Sequence, residues 1–294
     1  MPTSRPSAET LAERARHAIH HSGLAQRDVA ALIGIDETKL SKSLKGVRRF
    51  NPEELTLLAT NTGVTANWLI SGSDSAAGAS VAPSARMLPT QHREDSTSAR
   101  KRRLIIERAW WLFAEKGHAN VRVSDIARET EISPASVHYY FPTKLEIFAE
   151  TLRYSVKLAF DRQVTELHSI PDPVQRLKHL IRLQLPEGVA GRAEWSIWLQ
   201  TWGQAAVDPS QRDNHSHGYE RWRQTVEGII TDGQRSGVFS SVNAADLTLD
   251  ITSLMDGLGI KVLTGMLTTA QMQEHIENFI DRTIVTSEES SHEP

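Results

Sequence analysis

The 294-residue sequence predicts an all-α protein of two or three domains. Three observations carry that prediction. Apolar residues recur at three and four along nearly the whole chain, and the two-residue alternation of a half-buried strand is absent. Helix starts and stops are written in as caps, prolines and glycines: Gly46, Gly63, Gly117, Pro142, Pro171 and Gly237 all read as stops. One stretch, GSDSAAGASVAPSARMLPTQHREDSTS from Gly72 to Ser98, is small and polar with two prolines, and reads as a linker.

Composition narrows the function classes. Apolar residues at 39% and charged residues at 23% are ordinary for a globular chain. There is no cysteine, which removes disulfides, thiol nucleophiles and cysteine-ligated metals. No apolar run approaches a membrane span, and MPTSRPSAETLAERARHAIHH lacks the apolar core of a secretory signal. A cytoplasmic protein without a membrane partner is the expectation. The net charge of −3 is split: +2 over residues 1–72, −1 over 73–98, +2 over 99–150 and −6 over 151–294. Two slightly basic segments sit on an acidic one, a distribution compatible with nucleic acid at the basic segments.

Residues 8–72 form the first expected domain, in five short helical pieces. The second and third are AQRDVAALI and ETKLSKSLKG, joined by GID. Val29, Ile33, Ile35, Leu40 and Leu44 are spaced to lock two helices at a wide angle, with small Ala30 at the crossing. Asp36 is placed to cap the third helix. Asn51-Pro52-Glu53-Glu54 starts a fourth with cap, proline and capping-box glutamate, and Asn67-Trp68-Leu69 opens a closing one. This pattern resembles the Cro/lambda-repressor-type helix-turn-helix family. The resemblance implies that Gln26 abuts a phosphate. It implies that Glu37, Thr38, Ser41 and Lys42 face base edges, with Lys45, Arg48 and Arg49 beside the backbone. Asp36-Glu37 at the helix tip and Ser43-Leu44 depart from the family pattern. A module kept for protein contacts or oligomerisation is the other reading.

Residues 73–98 are the expected flexible linker, and 99–146 a second helix-turn-helix. ARKRRLIIERAWWLFAEKGH is amphipathic, with Ile105, Ala109, Leu112 and Phe113 on one stripe. VSDIARET leads to a turn at Glu131-Ile132. Ser133 and Pro134 then give the next helix a sharp start, and Thr143-Lys144-Leu145-Glu146 opens another. The register D-I-A-x-x-x-x-I-S-x-x-x-V-x-Y-Y-F-x-x-K resembles the TetR family of regulators. That resemblance implies a recognition helix whose Ser133, Pro134, Ala135 and Ser136 approach bases. His138 and Tyr139 would touch phosphate or a base edge. Lys144 would hold a phosphate, and Arg100, Lys101, Arg102 and Arg103 would form an N-terminal arm on DNA. Val137, Phe141 and Ile126 read as core. Glu131 stands where glycine is usual and must take a strained turn conformation. Arg122 replaces the usual cap, and His138 and Tyr140 stand in exchanged order.

Residues 147–286 are the expected third unit, about six helices over 144–284, followed by a disordered tail at 287–294. Leu177, Leu180, Ile181 and Leu185 make one stripe; Ile251, Leu254, Leu258 and Val262 make another. Trp195, Trp198 and Trp202 lie on one helical face. W-x-x-W-x-x-x-W, then RW, then L-x-D-G-L-x-x-x-V-L, resembles the C-terminal domain of the BetI-like TetR branch. This implies a homodimer through the last two helices, about 243–284, and a ligand cavity between the middle ones. Leu183, Trp198, Trp202, Tyr219, Trp222 and Met255 are the candidate lining, suited to a small hydrophobic or aromatic effector.

No enzyme is expected: there is no phosphate-binding glycine loop, nucleophile elbow or paired acids, and His215-Ser216-His217 lacks a third metal ligand. No cofactor is expected beyond the effector. The whole reading is a homodimeric, ligand-released repressor of a double-stranded DNA operator, with two helix-turn-helix units per chain. A flexible linker of about 26 residues would reach about 28 Å, against about 34 Å per DNA turn, enough to set the first unit on a flanking groove.

Overall fold

The structure, a computed structural model, describes residues 10–72 and 96–286, without the side chains of Ser96, Asn214 and His217. Most of the expected linker and the whole expected tail lie outside the described residues. Among those described, helices dominate, and the sole β pairing is an isolated antiparallel bridge between Phe239 and Val285.

The N-terminal unit is α1 (Leu11–Ser22), α2 (Gln26–Leu32), α3 (Glu37–Leu44), α4 (Pro52–Thr62) and α5 (Ala66–Ser71). Their ends are set by local chemistry. Thr10 and Glu13 make a capping box at α1, and Asp36 accepts from the Lys39 N–H at 2.8 Å to start α3. Asn51, Pro52 and Glu54 start α4 as the sequence predicts. Val29, Ile33, Leu40 and Leu44 are buried in one core with Ala30 at the crossing, and Ile35 packs against it. The buried Arg14 ties α1 to the end of α5 by donating to the carbonyls of Leu69 and Ile70 at 2.8 and 2.7 Å.

The second unit is α6 (Ser96–Lys116), α7 (Val123–Glu129) and α8 (Pro134–Tyr140), which pack with the first half of α9 (Lys144–Leu167) around Ile105, Phe113, Ile126, Val137 and Phe141. Helix α6 already begins at Ser96, inside the stretch read as linker. Then follow α10 (Pro173–Leu183), α11 (Gly188–Val207), α12 (Arg212–Arg235), α13 (Ala244–Leu263) and α14 (Thr269–Phe279). Leu177, Leu180, Ile181, Ile230, Ile251 and Ile276 are fully buried in their common core.

Helix α9 organises the whole molecule. At its start it supports α7 and α8, its middle lies on α11, and α4 and α5 of the N-terminal unit pack along its second half. The first unit is therefore docked on the body, a different arrangement from a head carried at the reach of a flexible linker. The contact is specific. Thr56 and Thr165 hydroxyls lie 3.1 Å apart, and the Asp161 carboxylate accepts from the Ala66 N–H at 2.8 Å. Ala66 opens α5, so its N–H has no partner within the helix, and a carboxylate there meets the positive end of the helix dipole. Asp161 is wholly buried, and its other oxygen lies 2.6 Å from the ammonium of buried Lys157.

The expected arginine arm needs correction. Residues 100–103 belong to α6 and are helical. Arg103 lies on the bare backbone of Gly63 at the end of α4, where any side chain at 63 would collide with it. Arg102 donates to the Tyr140 carbonyl at 2.8 Å and stacks 4.4 Å over Phe141. Arg100 donates to the Gly23 carbonyl. Docking gives Arg100 and Arg103 neighbours on the N-terminal unit, and the end of α8 holds Arg102, which takes these three out of an arm; Lys101 stays exposed.

Candidate functional site

Helix α8 starts sharply because Ser133 accepts from the Ser136 N–H at 3.1 Å and Pro134 fills the first helical position. Val137 and Phe141 face inward and are buried, as is Ile126 on α7. The outer face carries Ser133, Pro134, Ala135, His138 and Tyr139, all exposed, with Ser136 half-buried. Tyr139 is 80% exposed, unusual for a ring of that size, and meets Tyr140 edge-on. The turn between α7 and α8 holds Glu131 at φ 56°, the one non-glycine positive φ among the described residues. The sequence pattern had placed strain there.

Lys144 is at the start of α9, yet its ammonium donates to the carbonyls of His118 and Val121 at 2.7 and 2.9 Å. Two of its three donors hold the loop between α6 and α7, so its contribution to phosphate binding is at most partial. Burial, with Lys144 beside it, pushes the His118 pKa down, so that ring is neutral at pH 7.

On the N-terminal unit, Gln26, Glu37, Thr38, Lys42 and Lys45 are exposed and Ser41 is half-buried. Docking through α4 and α5 leaves these side chains open. Arg48 is not free for a backbone phosphate. It grips Glu54 with both arms at 2.7 and 2.6 Å and reaches Ser43 as well. Arg48 and its neighbours also hold the Glu54 carboxyl below the usual carboxylate range.

A cavity lies among α9, α11, α12 and α13. Trp198, Trp202, Tyr219, Trp222 and Met255 line it, together with Trp195 and Phe160. Leu183 does not: it packs into the neighbouring core, while the next residue, Gln184, reaches the cavity. Two glycines make room for the indoles. Trp195 lies flat against Gly259 on α13, and Trp198 against Gly218 on α12, where an added Cβ would lie 2.9 Å from the ring. The space is about 70 Å³, several times the roughly 10–15 Å³ that one water needs, so it suits a compact ligand.

Charges in the wall distinguish the cavity from the largely apolar site the tryptophans suggest. Asp256 accepts from the Tyr219 hydroxyl at 2.5 Å, and burial pushes its pKa up to about 6. Burial and the adjacent carboxylate push the Tyr219 phenol well above its usual value. Glu194 is gripped by Arg162 at 2.6 and 2.7 Å. Arg221, 4% exposed, stacks 3.3 Å over Phe160. Asp256 carried a sequence signal, since it is the lone acid within the apolar stripe around Met255. Arg221 carried none, because α12 is rich in exposed polar residues.

Comparison with known proteins matches the helices from α6 onward. The profile described as bacterial regulatory proteins, tetR family, covers residues 105–151. That described as BetI-type transcriptional repressor, C-terminal, covers residues 173–285. A choline-complexed transcriptional regulator structure from Saccharomonospora viridis superposes with a TM-score of 0.62 at 46% identity, over 64% of this chain and 100% of that one. The chain belongs to the TetR family. It is a DNA-binding transcriptional regulator with a BetI-type C-terminal domain and not an enzyme. Among curated relatives, the regulator BetI of Agrobacterium fabrum is 26% identical over 168 residues, 55% of this chain and 76% of BetI. The uncharacterized regulator YuxN of Bacillus subtilis is 32% identical over 105 residues, and this chain spans only 35% of its length. It spans 52% of the Rhizobium meliloti BetI. No helix among the described residues is long and apolar enough to cross a membrane.

Proposed function

We propose that this TetR-family regulator is a homodimeric repressor released from its operator by a small cation of the quaternary-ammonium class. One observation carries the choice of effector: an aromatic cage of Trp195, Trp198, Trp202, Tyr219 and Trp222 with the Asp256 carboxyl in its wall. Indole faces attract an alkylated ammonium, each by about 0.5–2 kcal/mol when desolvated, and Asp256 supplies an opposite charge. The related structure from Saccharomonospora viridis is a choline complex. The small hydrophobic or aromatic effector that the tryptophans alone suggest gives way to a caged cation.

Dimerisation through α13 and α14 fits the apolar side chains they leave open, Leu249 at 63% and Met266, just beyond α13, at 72% exposure. Release follows from α9, which bears cavity residues Val156 and Phe160 and also carries the α7–α8 unit through Lys144. An effector that binds one spacing of the two α8 helices better than another shifts the dimer toward that spacing. The N-terminal unit is a second, Cro-type DNA-reading element that presents Glu37, Thr38 and Lys42 from α3.

Operator binding measured with and without choline tests the reading. Choline should bind the full chain and lower operator affinity; operator affinity that stays constant while choline saturates the protein overturns effector release. Substituting Thr38 and Lys42 tests the second element. Loss of preference at flanking base pairs is expected, whereas unchanged DNA binding would assign the unit to protein contacts.

A further inference from the structure

The cavity wall holds donors without acceptors. Arg221 is almost wholly buried, and among the described residues none of its three guanidinium nitrogens has a hydrogen-bond partner. The buried amide nitrogen of Gln184, on the same cavity, has none among them either. The nearby carboxylates are engaged elsewhere. Both Glu194 oxygens are taken by Arg162, Asp161 is held between Lys157 and the Ala66 N–H, and Asp256 receives the Tyr219 hydroxyl. Burial brings the Arg221 pKa down to about 10, so the group is still charged at neutral pH, with Asp161 the opposite charge that favours it. A buried guanidinium facing a cavity with no acceptor is destabilising unless something supplies one.

We propose that Arg221 and Gln184 form an anion subsite, and that the effector is a compact zwitterion: an alkylated ammonium in the aromatic cage and a carboxylate on Arg221. The inference rests on the cationic cage proposed above and adds the second end of the ligand. A carboxylate fits better than an alcohol because it offers about four lone-pair sites to a forked guanidinium and a neighbouring amide, and accepts from arginine in bidentate fashion. A cavity of about 70 Å³ suits a compact molecule whose two charges lie close together. Asp256 on α13 and Arg221 against α9 supply the opposite charges for the two ends.

Four probes separate the ends: choline, glycine betaine and their uncharged-head carbon isosteres, 3,3-dimethylbutan-1-ol and 3,3-dimethylbutanoate, each titrated calorimetrically into the full chain. Glycine betaine should bind at least about tenfold tighter than choline, the strength of one charge-assisted pair. Arg221→Met should remove that preference, bringing the ratio of glycine betaine to choline affinity to about one. Choline binding as tightly as glycine betaine, or tighter, overturns the anion subsite while leaving the cage intact. Binding of 3,3-dimethylbutanoate without either ammonium compound overturns the cage and the zwitterion with it, as does no binding of any probe. If Arg221→Met fails to fold, the ratio of the two ammonium ligands on the unaltered chain still decides.

Discussion

Asp161→Asn removes one charge from the joint between the N-terminal unit and α9. Asparagine keeps the shape, and its oxygen can still accept from the Ala66 N–H, so the helix-end contact survives. Lys157 cannot be satisfied in the same way, because its ammonium is buried and its only ion-pair partner among the described residues is Asp161. Removing one partner of a buried pair costs about 3–5 kcal/mol, whereas replacing both by apolar groups is often close to neutral. Asp161→Asn should therefore lower stability by about 3 kcal/mol, or roughly 6–12 °C in melting temperature at about 2–4 °C per kcal/mol. The double variant Asp161→Asn/Lys157→Met, which removes both charges and keeps an acceptor for the Ala66 N–H, should recover most of that loss. Hydrogen exchange localises the effect: protection should fall first in α4 and α5, which pack on this part of α9. An Asp161→Asn chain within about 1 kcal/mol of the original, with α4 and α5 equally protected, would refute the view that this pair holds the docked unit.

Three other perturbations follow from the geometry. Tyr139→Ala should weaken operator binding by about tenfold, the value of one lost phosphate or base contact, without moving the melting curve, because the ring is 80% exposed; filter binding and a thermal melt read the two effects. With the Asp256 pKa at about 6, a cationic effector should bind about tenfold more weakly at pH 5 than at pH 7, because protonation removes the facing charge. Asp256→Asn should flatten that profile. Glu131→Gly should raise stability by up to about 1 kcal/mol, measured by urea unfolding, because glycine adopts φ 56° without a Cβ clash and the gain is set against its greater unfolded entropy.

The sequence was most informative where the chemistry is local. Caps such as Asn51, Ser133 and Thr143, the stops at Gly63 and Gly117, and the strain at Glu131 depend on neighbours within four residues, and each stands where its residue type requires. Periodicity placed Val137 and Phe141 in the core and gathered most of the cavity's aromatic wall. What it missed is long-range. Lys144, Arg48, Arg102 and Arg103 look like free cations in sequence, but their partners are brought up by other elements: the α6–α7 loop, the start of α4, α8 and the end of α4. Arg221 is unreadable for the same reason. Its environment is made by Phe160 and Asp161, some sixty residues earlier, and nothing near it in the chain marks it as buried.

The absence of cysteine makes the joint on α9 a place for a removable bolt. Thr56 and Thr165 face each other across it, their hydroxyl oxygens 3.1 Å apart, so cysteines at the two positions would point toward one another. Cysteines at those two positions would be the only thiols in the chain, so oxidation has a single intramolecular outcome to choose. Oxidised, the bolt would fix the N-terminal unit in its docked pose; reduced, it would leave the unit to its own contacts on α9. One sample could then be switched between the two states in the same cuvette, and any step of the regulator's cycle that requires the unit to leave α9 would stop and restart with the redox potential.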